Sequence, residues 1–276
     1  MELILVKKRV RKSELDKFYT DEGIAAVCGY IFFLYASPPV VEPSAGAGVF
    51  APYVDVMLDL EPEGPNIIQQ DFLEFDTTQY ENYLGNPPFG VNASLAKGFF
   101  NHAAKGKGVI GFILPKTFRK VSVQNSLDLN FHLIEDVEVP ENSFTLEGEV
   151  YDVPCTFQVW EYRNEKREKI NFPIVHEDFS FVKPLKVGDP PKVVPPLEYD
   201  FSIRRVGGLA GKVLSKEKTG APPSHYFLRA APEVRERLEK LYDEFQEVAK
   251  NTAGNPSLGK GELINIYSIV RPQSID

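Results

Sequence analysis

Two hundred seventy-six residues, 43% apolar and 12% aromatic, hold enough nonpolar side chain for a buried core and exclude a disordered chain. Thirty-one Lys and Arg against 39 Asp and Glu give a net charge of −8, which taken alone argues against a nucleic-acid binder. Two cysteines exclude a disulfide framework, and an apolar run over 24–36 that contains Gly29 is too short to span a bilayer, so the expectation is a soluble, cytoplasmic protein with no membrane partner.

In chain order, the N-terminus is apolar over 3–6 and basic over 7–12, the reverse of a secretory signal. Glu22 to Tyr35 has helical spacing, with Thr20 or Asp21 as N-cap. Short apolar strands follow at Val40-Val41, Val54–Leu60, Asn66–Gln70 and Tyr83-Leu84. Ser94–Ala104 is helical, Val109–Leu114 is an apolar strand, and Phe131–Val139 and Cys155–Trp160 supply two more. Strands alternating with helices imply βαβ units and a mostly parallel sheet. Beyond about Arg163 the regularity fades. Five prolines within 183–197 read as a stiff connector, Pro232–Ala249 as one charged helix, and Leu263–Val270 as a strand. The expected division is 1–165 as a core and 166–276 as a small, irregular extension.

Charge is arranged in blocks. Residues 18–96 carry eleven acids and no base, 97–120 six bases and no acid, and 121–162 nine acids and no base. Most such blocks are solvated faces. The basic block, however, directly follows the segment with the strongest chemical signal.

That segment is Asn86-Pro87-Pro88-Phe89-Gly90. Two prolines fix the backbone and remove two N–H donors, leaving carbonyls as acceptors. The Asn86 side-chain oxygen and the Pro87 carbonyl can together accept both hydrogens of one planar NH₂ group, while Phe89 offers a stacking face. Upstream, Glu42-Pro43-Ser44-Ala45-Gly46-Ala47-Gly48 follows a strand and is expected to open a helix whose free N–H groups face a ligand. Alone, a Gly-x-Gly turn is more often an ordinary tight turn. Asp59 ends the next strand and suits ribose hydroxyls; Asp71-Phe72 ends the one after and suits an adenine amine and ring face. Singly, each acid reads as a solvated loop residue. Together, at successive strand ends, they read as a nucleoside site. The four histidines share no metal spacing, so no metal is expected.

These segments resemble those of the class I S-adenosylmethionine-dependent methyltransferases that modify amino groups, in particular adenine-N6 enzymes of the gamma motif order. The likeness covers about residues 15–162. It implies a Rossmann-like α/β fold: a mostly parallel seven-stranded sheet with an antiparallel edge hairpin, and S-adenosyl-L-methionine as cofactor. It implies that Phe18, Tyr19 and Thr20 lie against the methionine moiety with Glu42, Ser44 and Gly46. Asp59 and Leu60 then meet the ribose, and Asp71 and Phe72 the adenine. Asn86, Pro87, Pro88 and Phe89 become the catalytic loop. Phe144 falls where the family keeps a second aromatic against a flipped base, although it reads equally as a core residue. Lys116, Arg119 and Lys120, after the fifth strand, are candidates for substrate phosphates, and equally for a solvated surface.

The implied activity is methyl transfer to the N6 amine of adenine in nucleic acid, DNA before RNA. The chain after the core is short for a target-recognition domain. Sequence selection is therefore weak, directed at a structured RNA, or left to a partner subunit. Glutamine-N5 methylation of a protein suits the same loop, but the basic block and Phe89, where that family usually has Tyr, weigh against it. A silent, nucleic-acid-binding partner subunit is disfavoured by intact Asn86, Asp59 and Asp71.

Overall fold

The computed structural model describes residues 18–146 and 148–270; the basic N-terminal stretch lies outside them. The chain forms two compact units. The first takes in the described residues up to Pro115 together with Ser126–Arg167, and the second takes in Lys116–Asn125 and everything described from Glu168 on.

The first unit is built on seven strands: β1 (Val40–Glu42), β2 (Val56–Asp59), β3 (Ile67–Gln69), β4 (Asn82–Gly85), β5 (Val109–Pro115), β6 (Phe131–Glu138) and β7 (Cys155–Tyr162). Their order is β3-β2-β1-β4-β5-β7-β6. The first five run parallel, and β7 lies antiparallel to both β5 and β6. Every residue of β5 is buried, as expected for a central strand covered on both faces, which is why it reads as an unbroken apolar run.

Helix α1 (Glu22–Phe32) starts at Asp21, whose carboxylate accepts from the N–H groups of Gly23 and Ile24 at 2.8 and 3.3 Å. Its buried stripe is Ala25, Cys28, Gly29 and Phe32. Phe32 seats over Gly111 of β5, where a Cβ would stand 2.5 Å from the ring. Helix α2 (Ser94–Ala103) packs Phe100 edge-on against Trp160, with centroids 5.4 Å apart. Trp160 is thus a packing residue, its indole N–H held by Gln158. A small antiparallel ribbon joins Tyr19–Thr20, Phe144–Leu146 and Glu149–Tyr151.

The second unit corrects the expectation of an irregular extension. After the short α3 (Val121–Gln124) come β8 (Phe179–Val182), a hairpin of β9 (Leu185–Val187) and β10 (Lys192–Val194), then β11 (Phe201–Arg204), β12 (Val213–Leu214) and β13 (His225–Ala230). An antiparallel sheet of order β8-β13-β11-β12 shares an aromatic-rich core with α4 (Pro232–Lys240), α5 (Tyr242–Ala249) and α6 (Lys260–Ile269). The expected connector over 183–197 contains the β9–β10 hairpin, turned at Pro190-Pro191. The expected single helix over 232–249 breaks at Leu241, and the expected strand over 263–270 is α6. Its buried residues Leu263, Ile264 and Tyr267 follow helical spacing, and Glu262 accepts from the N–H of Gly259 at 2.7 Å. Among the described residues no helix is long and apolar enough to cross a membrane.

Candidate functional site

In an open parallel sheet, strand order reverses at one point, and the carboxyl ends there diverge to leave a crevice. Here the reversal lies between β1 and β4, and a cavity of about 390 Å³ occupies it, wholly within the first unit. Its size is in the range for a small-molecule site. The wall includes Phe18, Tyr19 and Thr20 from the ribbon and Glu42, Ser44 and Gly46 from the end of β1. Asp59 and Leu60 come from the end of β2, and Asp71 and Phe72 from beyond β3. Asn86 and Pro88 follow β4.

The Gly-rich segment does not open a helix. Residues 43–55 are a run of tight turns ending in one 3-10 turn at Ala51–Tyr53. Gly46 and Gly48 have φ of +53° and +86°, values that L side chains rarely adopt, and Pro52 is the middle residue of the one helical turn in this segment. The turn is fixed by Asp59, whose carboxylate accepts from the N–H of Gly46 at 2.7 Å and of Glu61 at 2.8 Å. Tyr19 lies over Gly46, 3.6 Å from where a Cβ would be, and its hydroxyl donates to Glu63 at 2.6 Å.

Glu42 is 1% exposed, and one of its carboxylate oxygens has no hydrogen-bond partner. Burial, and secondarily the charge of Asp59, push its carboxyl up to about 8. The cavity wall also carries Glu22, Asp59, Glu61 and Asp71, and among the described residues no Lys or Arg. Charged groups of one sign, all acidic, disfavour phosphates and favour a cationic ligand. The sign for stability follows: a carboxyl raised from 4.5 in the unfolded chain to about 8 in the folded one costs stability as pH climbs through that window. Glu42→Gln is therefore expected to raise the melting temperature at pH 8 more than at pH 5, by thermal scans of both proteins. Equal shifts at both pH values would remove the buried-carboxyl account.

The Asn86 loop is held from three sides. The Ser44 hydroxyl donates to the Asn86 backbone carbonyl at 3.1 Å. The Asn86 amide nitrogen donates to the Phe18 carbonyl at 3.2 Å and the Thr20 hydroxyl at 3.1 Å. With both donors so engaged, the amide orientation is fixed, and Oδ1 is left buried without a partner. Just beyond, Asn92 and Ala93 sit at φ of +53° and +58°, left-handed conformations in non-glycine residues that mark local backbone strain. Pro87 and Phe89 are buried and are not on the cavity wall.

Asp71 caps the short turn after β3, accepting from the N–H of Leu73 at 2.8 Å. Phe72, 1% exposed, packs on Phe99 of α2 with centroids 5.1 Å apart. Phe99 also lines the cavity and was not anticipated; its place on the buried stripe of α2 was the only signal.

The candidates for the substrate face fare differently. Phe144 is 1% exposed, paired with Thr20 in the ribbon and set edge-on to Phe18, and it is not on the cavity wall. Lys116, Arg119 and Lys120 belong to the second unit. Lys120 is corrected outright. Its buried ammonium donates to the carbonyls of Val248 and Ser257, both at 2.9 Å, and pairs with Glu262 at 2.9 Å. An ammionium with its three protons thus engaged has none left for a phosphate. Among the described residues no cluster of His, Cys, Asp and Glu is arranged to hold a metal ion.

No family model and no curated protein matches the sequence. Among solved structures the chain is similar to a modification subunit of a putative type I restriction enzyme from Vibrio vulnificus YJ016, at 14% identity and a TM-score of 0.41, covering 53% of this chain and 44% of that one. It is also similar to a putative RNA methyltransferase from Pyrococcus horikoshii, at 13% identity and a TM-score of 0.41, covering 54% of this chain and 87% of that one. A third similar structure is the 23S rRNA methyltransferase ErmE, at 16% identity and a TM-score of 0.38, covering 54% of this chain and 71% of that one.

Proposed function

We propose that the first unit binds S-adenosyl-L-methionine and transfers its methyl group to the N6 amine of adenine in nucleic acid, DNA before RNA. The observation that carries this reading is the buried, unpartnered Asn86 Oδ1 on the wall of an acidic cavity at the strand-order reversal. The residues fit the cofactor. The unpartnered Glu42 oxygen suits its ammonium group, which would draw the carboxyl to its charged form. Phe18, Tyr19 and Thr20, with Ser44 and Gly46, flank the same end. Asp59 and Leu60 are assigned to the ribose, and Asp71 with Phe72 to the adenine. When bound, the cofactor supplies an electrophilic methyl group on a sulfonium.

The chain's own contribution is to orient the amine. Asn86 Oδ1 and the Pro87 carbonyl each accept one N–H, which turns the nitrogen lone pair toward the methyl group and stabilises the positive charge that grows as the N–C bond forms, until one of the two protons is released to water. Pro88 fixes the loop, so those acceptors need no rearrangement. Phe89 is assigned to the ring of the extruded base, with Phe144 of the ribbon as the second aromatic. Lys116 and Arg119 remain proposed phosphate contacts, and a partner subunit is proposed to supply sequence selection.

Labelled methyl transfer from S-adenosyl-L-methionine onto single-stranded DNA, duplex DNA, RNA and a glutamine-containing protein tests this reading. Label recovered as N6-methyladenine is the expected result. Label in RNA alone changes the substrate, label in glutamine replaces the function, and cofactor binding with no transfer to any of them overturns it.

A further inference from the structure

Two Gly- and cation-bearing segments of the sequence, Arg204–Lys212 and Ser257–Gly261, have no part in the cavity. The fold of the second unit brings them together. Val206 and Ser257 form an antiparallel bridge, the N–H of Leu258 donates to the Arg205 carbonyl at 2.8 Å, and the N–H of Gly207 donates to the Pro256 carbonyl at 2.8 Å. Arg205 and Lys260 are thereby carried to one aromatic pair. The Lys260 ammonium lies 4.5 Å from the Phe181 ring centroid and 5.8 Å from that of Tyr226, and the Arg205 guanidinium lies 5.2 Å from Tyr226. Lys183 directly follows β8, the strand that carries Phe181, and burial, then the charges of Lys183 and Arg205, hold the Lys260 ammonium below its usual range.

Like charges drawn together repel, and none of these three is ion-paired among the described residues. The carboxylate in the first turn of α6, Glu262, is taken by Lys120 and by the Gly259 N–H. All three cations are exposed. The rings hold Arg205 and Lys260 in place, which lowers the entropy lost when an anion binds. Those ring faces are covered by the cations, so base stacking on them is blocked and the surface is left to offer charge.

We propose that Lys183, Arg205 and Lys260 form a binding surface for the phosphodiester backbone of a nucleic acid. The proposal rests on nucleic acid being the substrate and gives the second unit a part in holding it. Such a surface contacts repeated anions without reading bases, so its signature is a salt dependence set by the number of cations engaged.

The test is binding of labelled single-stranded DNA, duplex DNA and RNA to the full chain across a salt series. Arg205→Gln with Lys260→Gln is expected to weaken binding about tenfold and to flatten the slope of log affinity against log salt by about 1.4 for single strands and about 1.8 for duplex. Arg205→Lys with Lys260→Arg keeps the charges and is expected to keep the slope, which separates lost contacts from lost folding. Lys240→Gln removes a cation elsewhere on the same unit and is expected to bind as the parent does. Parent-like affinity and slope in the Gln pair overturn the surface, as does a selective loss of binding to an acidic protein with oligonucleotide binding intact. If the Gln pair loses oligonucleotide binding while no substrate accepts a methyl group, the surface stands and the proposed activity falls. If N6-methyladenine forms and the Gln pair binds as the parent does, the reverse holds.

Discussion

Asn86→Ala is expected to cut methyl transfer by about 10²–10³-fold while S-adenosyl-L-methionine binding survives, measured by labelled transfer and by calorimetry on the same preparation. The magnitude is that of removing one preorganised polar group aimed at charge developing in a transition state. The side chain has two separable jobs. Its amide nitrogen ties the loop to the Phe18 carbonyl and the Thr20 hydroxyl, and its oxygen is kept without a partner. A buried acceptor left unsatisfied costs stability, and the cost is recovered when a donor arrives. Asn86→Asp separates the jobs: it retains an acceptor but sets a carboxylate oxygen against the Phe18 carbonyl, so it is expected to lose transfer and also to loosen the loop. Transfer within tenfold of the parent in the Ala variant would remove Asn86 from the chemistry.

Lys120→Ala is expected to destabilise the second unit by about 3–5 kcal/mol, seen as a fall in the urea midpoint of the full chain. The substitution strands the Glu262 carboxylate and uncovers two carbonyls, those of Val248 and Ser257, that have lost their donor. Lys120→Met with Glu262→Gln removes both charges while the amide oxygen still caps Gly259, so it is expected to regain much of the loss. Unchanged stability in Lys120→Ala, with weakened nucleic-acid binding, would return Lys120 to the role its sequence position suggested.

The first unit was legible because its signals are local. Each strand is a short apolar run ended by turn residues, and the cavity residues sit where those runs stop, at Glu42, Asp59, Asp71 and Asn86. The missing helix after the Gly-rich turn was not legible, since Gly46, Gly48 and Pro52 permit either a helix start or a chain of turns. The second unit failed for the opposite reason. Strands as short as Phe179–Val182 and Phe201–Arg204 acquire meaning only through β13, a partner distant in the sequence. The run from Leu263 to Val270 is rich in β-branched residues, and the burial of Leu263, Ile264 and Tyr267 on one stripe decided for a helix. Lys120 was misplaced because its acceptors lie more than a hundred residues ahead.

The discontinuity of the second unit bears on the order in which the protein is made. Residues 116–125 leave the ribosome well before Val248, Ser257 and Glu262 exist, so for that interval the Lys120 segment is a guest with no host. The sheet of the first unit has all its strands once Tyr162 has emerged, whereas the second unit waits for α6. A cut placed near 167 would make that interval permanent, and the resulting fragment would carry Phe118 and Val123, side chains buried in the whole protein, without the rest of the unit they belong to.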